Sequence, residues 1–168
     1  LLGACQPAPY RLNQDHQSAS QNERIAFLIL HYTDEEDARS LHLLTEPEHK
    51  VSAHYLIPRD TDEQPFPVYQ LVPDSQRAWH AGGSQWEDRS GLNDHSIGIE
   101  LVNESWCERR SNQLQPEAEL CIAADFDPAQ LQLLLGLMKD ILARNPDVTP
   151  TRVLGHSDIV PLRKQDPG

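Results

Sequence analysis

Apolar residues are grouped in short segments along the chain, and their spacing predicts several strands of one sheet. The run from Ile25 to Leu30 is continuously apolar, which is typical of a strand that is buried on both faces. The segment from Ile97 to Asn103 has apolar residues at alternate positions, which indicates a strand with one buried face. Shorter strands are predicted at Val51 to Ile57, Val68 to Val72 and Thr151 to Leu154.

Two other segments have the spacing of amphipathic helices. The first runs from Thr33 to Leu44, and Thr33 with Glu36 has the spacing of a capping box. The second begins after Asp127 as N-cap, with a proline in the first position and Gln130 completing a capping box. Its core-facing stripe is expected to consist of Leu131, Leu134, Leu135, Met138, Ile141 and Leu142. The order of these elements predicts a single α/β domain with a mixed central β-sheet flanked by helices.

Residues capable of chemistry lie at the predicted strands. His31 follows the first buried strand directly, and open α/β sheets bind their ligands at the carboxyl ends of strands. Glu100 lies beside Gly98 on a predicted central strand, where a carboxylate is costly unless it is paired or faces a cleft. The alternative for Glu100 is a solvated position on an edge strand.

The segment from Gly155 to Gly168 combines a histidine, a lysine and acidic residues with two prolines, so we expect an irregular but rigid loop. His156 and Asp166 supply nitrogen and oxygen ligands that zinc accepts, and a catalytic zinc takes a third protein ligand. With His31 as that ligand, Glu100 as general base and Lys164 as the cation for an oxyanion, the set predicts metal-assisted hydrolysis. The alternative is a surface turn with ordinary polar residues.

Composition narrows the possible partners. The chain has 168 residues and a formal net charge of -12, which argues against nucleic-acid binding because that needs a basic face. No apolar run reaches the length of a transmembrane helix. We expect the numbering to begin inside a longer gene product, and whether a further module follows Gly168 is left open. A monomer is expected.

The N-terminal residues Leu2 to Cys5 resemble the lipobox of bacterial lipoproteins. The resemblance implies a signal-peptide remnant over residues 1–4, a lipidated Cys5 and, because Gln6 is not Asp, the periplasmic face of the outer membrane. Residues 5–22 are rich in Gln, Asn, Ser and Pro and are predicted to form a flexible tether. The catalytic domain is then residues 23–168. The alternative is a chance match.

Two cysteines remain if Cys5 is lipidated. Cys107 and Cys121 bracket a polar segment in which we find no helix or strand pattern. A disulfide between them is a possibility that an oxidising compartment favours. Two buried free thiols are the alternative.

Five segments resemble, in order and at family-like spacing, the motifs of zinc-dependent N-acetylmuramoyl-L-alanine amidases. This family shares its fold with T7-type phage lysozyme and animal peptidoglycan recognition proteins. The segments are Leu30 to Thr33, Val51 to Ile57, Ala78 to Gly82, Asn93 to Glu100 and Gly155 to Gly168. The resemblance therefore covers nearly the whole predicted domain and implies hydrolysis of the amide bond between N-acetylmuramic acid and L-alanine in peptidoglycan or muropeptides.

The resemblance also implies individual roles. His31, His156 and Asp166 match the zinc ligands, Glu100 matches the catalytic acid of the enterobacterial branch, and Lys164 matches the cation that stabilises the tetrahedral intermediate. The T7-type branch has a catalytic Tyr where this chain has Ala53, so Tyr55 is not given that role.

The substrate groove is less clearly marked in the sequence. Trp79, His80 and Asn93 are weaker candidates for it, and a core position is the alternative for Trp79. Three alternatives stay open: a non-catalytic peptidoglycan-binding module of the same fold, a zinc peptidase that acts on the stem peptide, and a purely structural lipoprotein with surface histidines.

Overall fold

The computed structural model describes residue 11 and residues 13–59, 65–112, 115–161 and 163–166, with residues 107–112 and 115–121 described by their backbone alone. The strands are β1 Phe27–Tyr32, β2 Tyr55–Ile57, β3 Tyr69–Gln70, β4 Gln85–Trp86, β5 Arg89–Ser90, β6 Ser96–Leu101, β7 Ser105–Asn112, β8 Gln115–Ala123 and β9 Val153–Gly155. The helices are α1 Asp37–Thr45, α2 Pro128–Arg144 and α3 His156–Ile159, and single 3-10 turns lie at Pro47–His49, Leu92–Asp94 and Pro150–Arg152.

The main sheet has the strand order β3-β2-β6-β1-β9. Strand β1 is parallel to β6 and β9, β2 is parallel to β6, and β3 is antiparallel to β2. The predicted α/β fold with a mixed central sheet is therefore confirmed. Since β6 lies between β2 and β1, the alternative that Glu100 is on an edge strand is wrong.

The register brings the chemistry to one edge of the sheet. His31 is the Cα partner of Glu100 across β1 and β6, and Leu30 is the partner of Gly155, which directly precedes His156. Because β1, β6 and β9 are parallel, their carboxyl ends meet at this edge.

The core has two parts, one on each face of the sheet. Alternate residues of β1 point to opposite faces, so Leu28 packs with Leu134 and Ile141 of α2, whereas Phe27 packs with Ile159 of α3. Each fully buried side chain of this size contributes about 1.5–3 kcal/mol. His31 and Phe27 stand on the same face by this alternation, opposite α2.

Both predicted helices form, with different details at their starts. Asp127 caps α2 as expected, its carboxylate accepting from the backbone N–H groups of Ala129 and Gln130. The predicted capping box is wrong, because the Gln130 amide turns inward and donates to backbone carbonyls of the sheet. Helix α1 begins at Asp37, not at Thr33, and its N-cap Glu36 makes no side-chain capping bond.

The predicted stripe of α2 is correct only in part. Leu134 and Ile141 are buried, and Met138 packs against them. Leu131 and Leu135 are 39% and 49% exposed, so their prediction as core residues is wrong. The buried Gln130 occupies the first turn of the inward face, which shifts the apolar stripe around the helix.

A hairpin of β7 and β8 occupies the segment that was expected to lack regular structure, so that expectation is wrong. Trp106 and Ile122 at its base are 52% and 42% exposed, and the sequence of this segment has no regular apolar alternation. Cys107 and Cys121 are Cα partners across it. Cys5 lies outside the described residues.

None of the helices in the described part of the chain is long and apolar enough to cross a membrane.

Candidate metal centre and active site

Three buried side chains converge at the carboxyl edge of the sheet. His31 ends β1, His156 begins α3, and Asp166 follows in the last loop. The Nδ1 atoms of His31 and His156 lie 3.2 and 3.1 Å from the same Oδ2 atom of Asp166. All three candidate ligand atoms lie within 4.8 Å of one another. Two imidazole nitrogens and one carboxylate oxygen, with room for a further ligand, are the donor set of a catalytic zinc site.

The last loop folds back on α3 and so brings Asp166 to His156. The Ser157 N–H donates to the Asp166 carbonyl at 2.7 Å, and the Lys164 N–H donates to the Val160 carbonyl at 3.0 Å. The carboxylate of Asp158 accepts from the Gly155 N–H at 2.7 Å and caps the start of α3. These local bonds fix the loop without a long helix or a strand.

His31 and Asp166 are in the protonation states that bind a cation. Burial lowers the pKa of His31 to about 4, so its ring is neutral at physiological pH. Burial alone would raise the pKa of Asp166, but its hydrogen bond with His156 holds that pKa well below its usual range. A neutral imidazole and an ionised carboxylate are the forms that bind metal. The residues present therefore fit a zinc ion.

Glu100 is a buried acid with an unused oxygen. Its Oε2 atom has no hydrogen-bond partner among the described residues. Burial first, and then the neighbouring Asp166 carboxylate, raise the pKa of Glu100 to about 8, while the positive charge of Lys164 acts in the opposite direction. Buried acids with such a shift mark candidate active sites. A cation held by the ligands beside it would favour the ionised form of Glu100.

An open cleft of about 600 Å³ gives access to this site. Glu100, His156, Lys164 and Asp166 line it, together with Tyr32 and Trp79. A second depression shares Leu44, Val51, Ser52 and Trp79 with the first, so the cleft continues as a groove along α1.

The three weaker candidates for the groove have different environments. Trp79 is 50% exposed and lines both depressions, so a core position for it is wrong. His80 is buried against His31, with ring centroids 5.1 Å apart. The Asn93 side chain is also buried, and its Oδ1 accepts from the backbone N–H groups of His80 and Ala81. Asn93 therefore holds the loop that carries His80.

Sequence reasoning missed part of the lining. Tyr32 and Thr33, and Ser40 from α1, face the cleft. Their position could have been predicted from the sequence, because α1 follows β1 after a short connection and must begin at the same edge of the sheet. Tyr55 lies elsewhere: its hydroxyl donates to Asp74 at 2.6 Å, and burial with this contact raises its pKa to about 12.

A second group of potential metal ligands, His42, Glu48 and His49, lies at the end of α1. His42 and Glu48 are exposed, whereas His49 is half-buried.

A buried cluster of two histidines and a carboxylate, with an acid and a lysine in the same cleft, is the arrangement typical of the class of metal-dependent hydrolases. The chain belongs to the N-acetylmuramoyl-L-alanine amidase family, whose model matches residues 21–168. The family resemblance seen in the sequence motifs is thereby confirmed.

Individual relatives agree with this family. The chain is 41% identical over 169 residues to N-acetylmuramoyl-L-alanine amidase AmiD of Escherichia coli (strain K12), covering 99% of this chain and 57% of the relative. AmiD from E. coli in complex with the substrate anhydro-N-acetylmuramic acid-L-Ala-D-gamma-Glu-L-Lys matches with a TM-score of 0.81 and 39% identity over 97% of this chain and 60% of that one.

A second solved structure is equally similar. AmpDh3 from Pseudomonas aeruginosa in complex with anhydromuramic pentapeptide matches with a TM-score of 0.80 and 39% identity, covering 95% of this chain and 61% of that one. The chain thus spans about three fifths of the length of these relatives.

Proposed function

We propose that this protein hydrolyses the amide bond between N-acetylmuramic acid and L-alanine in peptidoglycan or muropeptides, with zinc as its cofactor. The observation that carries the proposal is the convergence of His31, His156 and Asp166 beside the buried Glu100. Membership of the amidase family supports the choice of this amide bond.

His31, His156 and Asp166 would hold the zinc ion, each through one atom. When bound, zinc lowers the pKa of a water molecule and polarises the substrate carbonyl. The presence of all three ligands argues against the alternative of a peptidoglycan-binding module that has lost catalysis.

Glu100 is the proposed general base. Its carboxylate, whose Oε2 has no hydrogen-bond partner in the described part of the chain, accepts a proton from the attacking water, whose oxygen bonds to the carbonyl carbon of the lactyl group. Lys164, in the same cleft, stabilises the negative charge that develops on the carbonyl oxygen. Glu100 then gives its proton to the nitrogen of L-alanine, the C–N bond breaks, and a lactyl carboxylic acid and a free amine result.

The groove beside the site suits an extended ligand. Trp79 lies between the two depressions and offers an exposed aromatic face for a sugar or a stem peptide. Two relatives have been solved with anhydromuramic peptides, and we propose the same class of ligand for this groove.

Mass analysis of the products tests the reaction. Incubation with a muropeptide mixture is expected to release stem peptides with a free L-alanine amine, and a zinc chelator is expected to prevent their release. Cleavage inside the stem peptide would instead indicate a peptidase. Pull-down of peptidoglycan without any cleavage would indicate the binding module.

We also propose that the protein is anchored through a lipid on Cys5 at the periplasmic face of the outer membrane. The resemblance of Leu2 to Cys5 to a lipobox supports this. In cells that express the gene with its signal sequence, Cys5→Ser should move the protein from the membrane fraction to the soluble fraction.

The hairpin register supports a further proposal, a disulfide between Cys107 and Cys121. Their Cα atoms are partners across β7 and β8, a position from which a bridge can close without a change of register. Alkylation of the unfolded, unreduced protein would label both thiols if the bridge is absent.

A further inference from the structure

His80 is a buried residue that connects a candidate zinc ligand to the interior. Its Nδ1 lies 3.0 Å from Nε2 of His31, on the side of that ring away from Asp166. Its Nε2 lies 3.1 Å from the hydroxyl oxygen of Ser96. The Ser96 hydroxyl in turn lies 2.6 Å from the carbonyl oxygen of Leu92.

The Leu92 carbonyl fixes the direction of the first two of these hydrogen bonds, counted from that carbonyl. The Leu92 carbonyl can only accept, so the single hydroxyl proton of Ser96 is donated to it. The Ser96 oxygen must then accept from Nε2–H of His80.

His80 is buried, and neither of its ring nitrogens contacts a carboxylate in the part of the chain that is described. A ring in such surroundings stays neutral, because an unpaired buried charge is costly. With its proton on Nε2, its Nδ1 can only accept, so His31 donates from Nε2–H.

The consequence for His31 follows directly. A neutral ring with its proton on Nε2 has a lone pair on Nδ1, the atom that faces Asp166 Oδ2 at 3.2 Å. Two acceptor atoms at this distance repel each other unless a cation lies with them. The relay therefore prepares His31 to bind metal through Nδ1.

We propose that the chain Leu92–Ser96–His80 is a tautomer relay that fixes the proton of His31 on Nε2 and directs its Nδ1 lone pair at zinc. This inference rests on the proposed zinc site and deepens it. His80 lines the cleft beside Glu100, and in this proposal it acts through His31 as a positioning residue.

Neighbouring residues hold the relay in place. A Cβ atom added at Gly98 would lie 2.4 Å from Cγ of His80, so the absence of a side chain on β6 provides the space for this ring. Asn93 fixes the backbone of His80 from the other side through the bonds described above. The gap beside Glu100 that Gly98 leaves in the sequence pattern is thus filled by His80.

Zinc affinity tests the relay through competition with a chelating dye. All proteins carry His42→Ala, so that the surface cluster at the end of α1 does not contribute. Ser96→Ala and His80→Leu are expected to weaken zinc binding by roughly 10–100-fold, the usual effect of removing a partner of a ligating histidine. His80→Asn is expected to recover part of this loss, because its amide oxygen can replace Nδ1 as acceptor.

Ser84→Ala is the matched control. Ser84 is also buried and its hydroxyl accepts from the Leu92 N–H at 3.1 Å, but it is outside the relay. This variant should bind zinc as tightly as the reference protein. In the zinc-loaded reference protein, nitrogen NMR of the histidine rings should show His80 with its proton on Nε2 alone.

The outcomes separate the relay from the zinc site itself. If the reference protein binds zinc and both Ser96→Ala and His80→Leu bind it equally well, the relay is wrong and the zinc site stands. A proton on Nδ1 of His80 would also overturn the relay. If the reference protein binds no zinc, the proposed function fails together with the relay.

Discussion

Glu100 shows how burial sets the properties of a single residue. Its raised pKa means that the folded, metal-free protein holds a proton on Glu100 where the unfolded chain does not. The stability from this group is fully present below the ordinary value of 4.5 and is lost as the pH rises through about 8. In metal-free protein, Glu100→Gln should therefore raise the free energy of unfolding above pH 8, by more than about 1 kcal/mol.

Denaturant unfolding of both proteins at acidic and alkaline pH measures this difference. The exposed Glu104, also changed to Gln, is the matched control. Equal stability of Glu100→Gln and the unchanged protein at alkaline pH would show that the carboxylate is not desolvated.

The residues of the site were predictable to different degrees. His31, Glu100 and His156 could be found because each ends or interrupts an apolar strand, where a polar side chain needs a reason. The contact of His80 with His31 could not be predicted, because His80 lies in a loop and its partners His31 and Ser96 are on strands β1 and β6. Only the register of β1 against β6 brings them together.

Among the elements, α2 depends on one polar contact with the sheet. The buried Gln130 amide donates to the carbonyls of Ile57, Pro58 and Val102, at or just after the ends of β2 and β6. Gln130→Ala leaves these carbonyls without that donor and should lower the free energy of unfolding by about 1–3 kcal/mol. The exposed Gln132, changed to Ala, should alter it by less than about 0.5 kcal/mol. Equal effects of the two changes in chemical denaturation would contradict this role.

The same helix shows where element prediction stops. The start of α2 could be predicted because Asp127 and Pro128 act locally. The face of α2 that packs on the sheet could not be predicted. Gln130 is polar, and its burial depends on the carbonyls of Val102 and Ile57, which are 28 and 73 residues away in the sequence. The hairpin of β7 and β8 was missed for a related reason, because it has little apolar pattern to detect.

In the whole molecule, parallel strands collect distant residues at one edge. His31 and Asp166 are 135 positions apart in the sequence, and the sheet brings them into contact. The mixed α/β sheet could be predicted from the order of its elements, but the strand order β3-β2-β6-β1-β9 could not. This order places Glu100 next to His31 and gives the last loop access to both.

The central claim is that the ligand cluster holds zinc and that Glu100 moves the proton. Zinc content and product release, measured together on three proteins, test it most directly. The unchanged protein is expected to hold one zinc ion in the buried cluster and to release peptides that begin with L-alanine. Asp166→Ala should lose both properties, whereas Glu100→Ala should keep its zinc and lose turnover by at least about 100-fold. Full turnover by Glu100→Ala, or zinc-independent turnover by Asp166→Ala, would contradict the account.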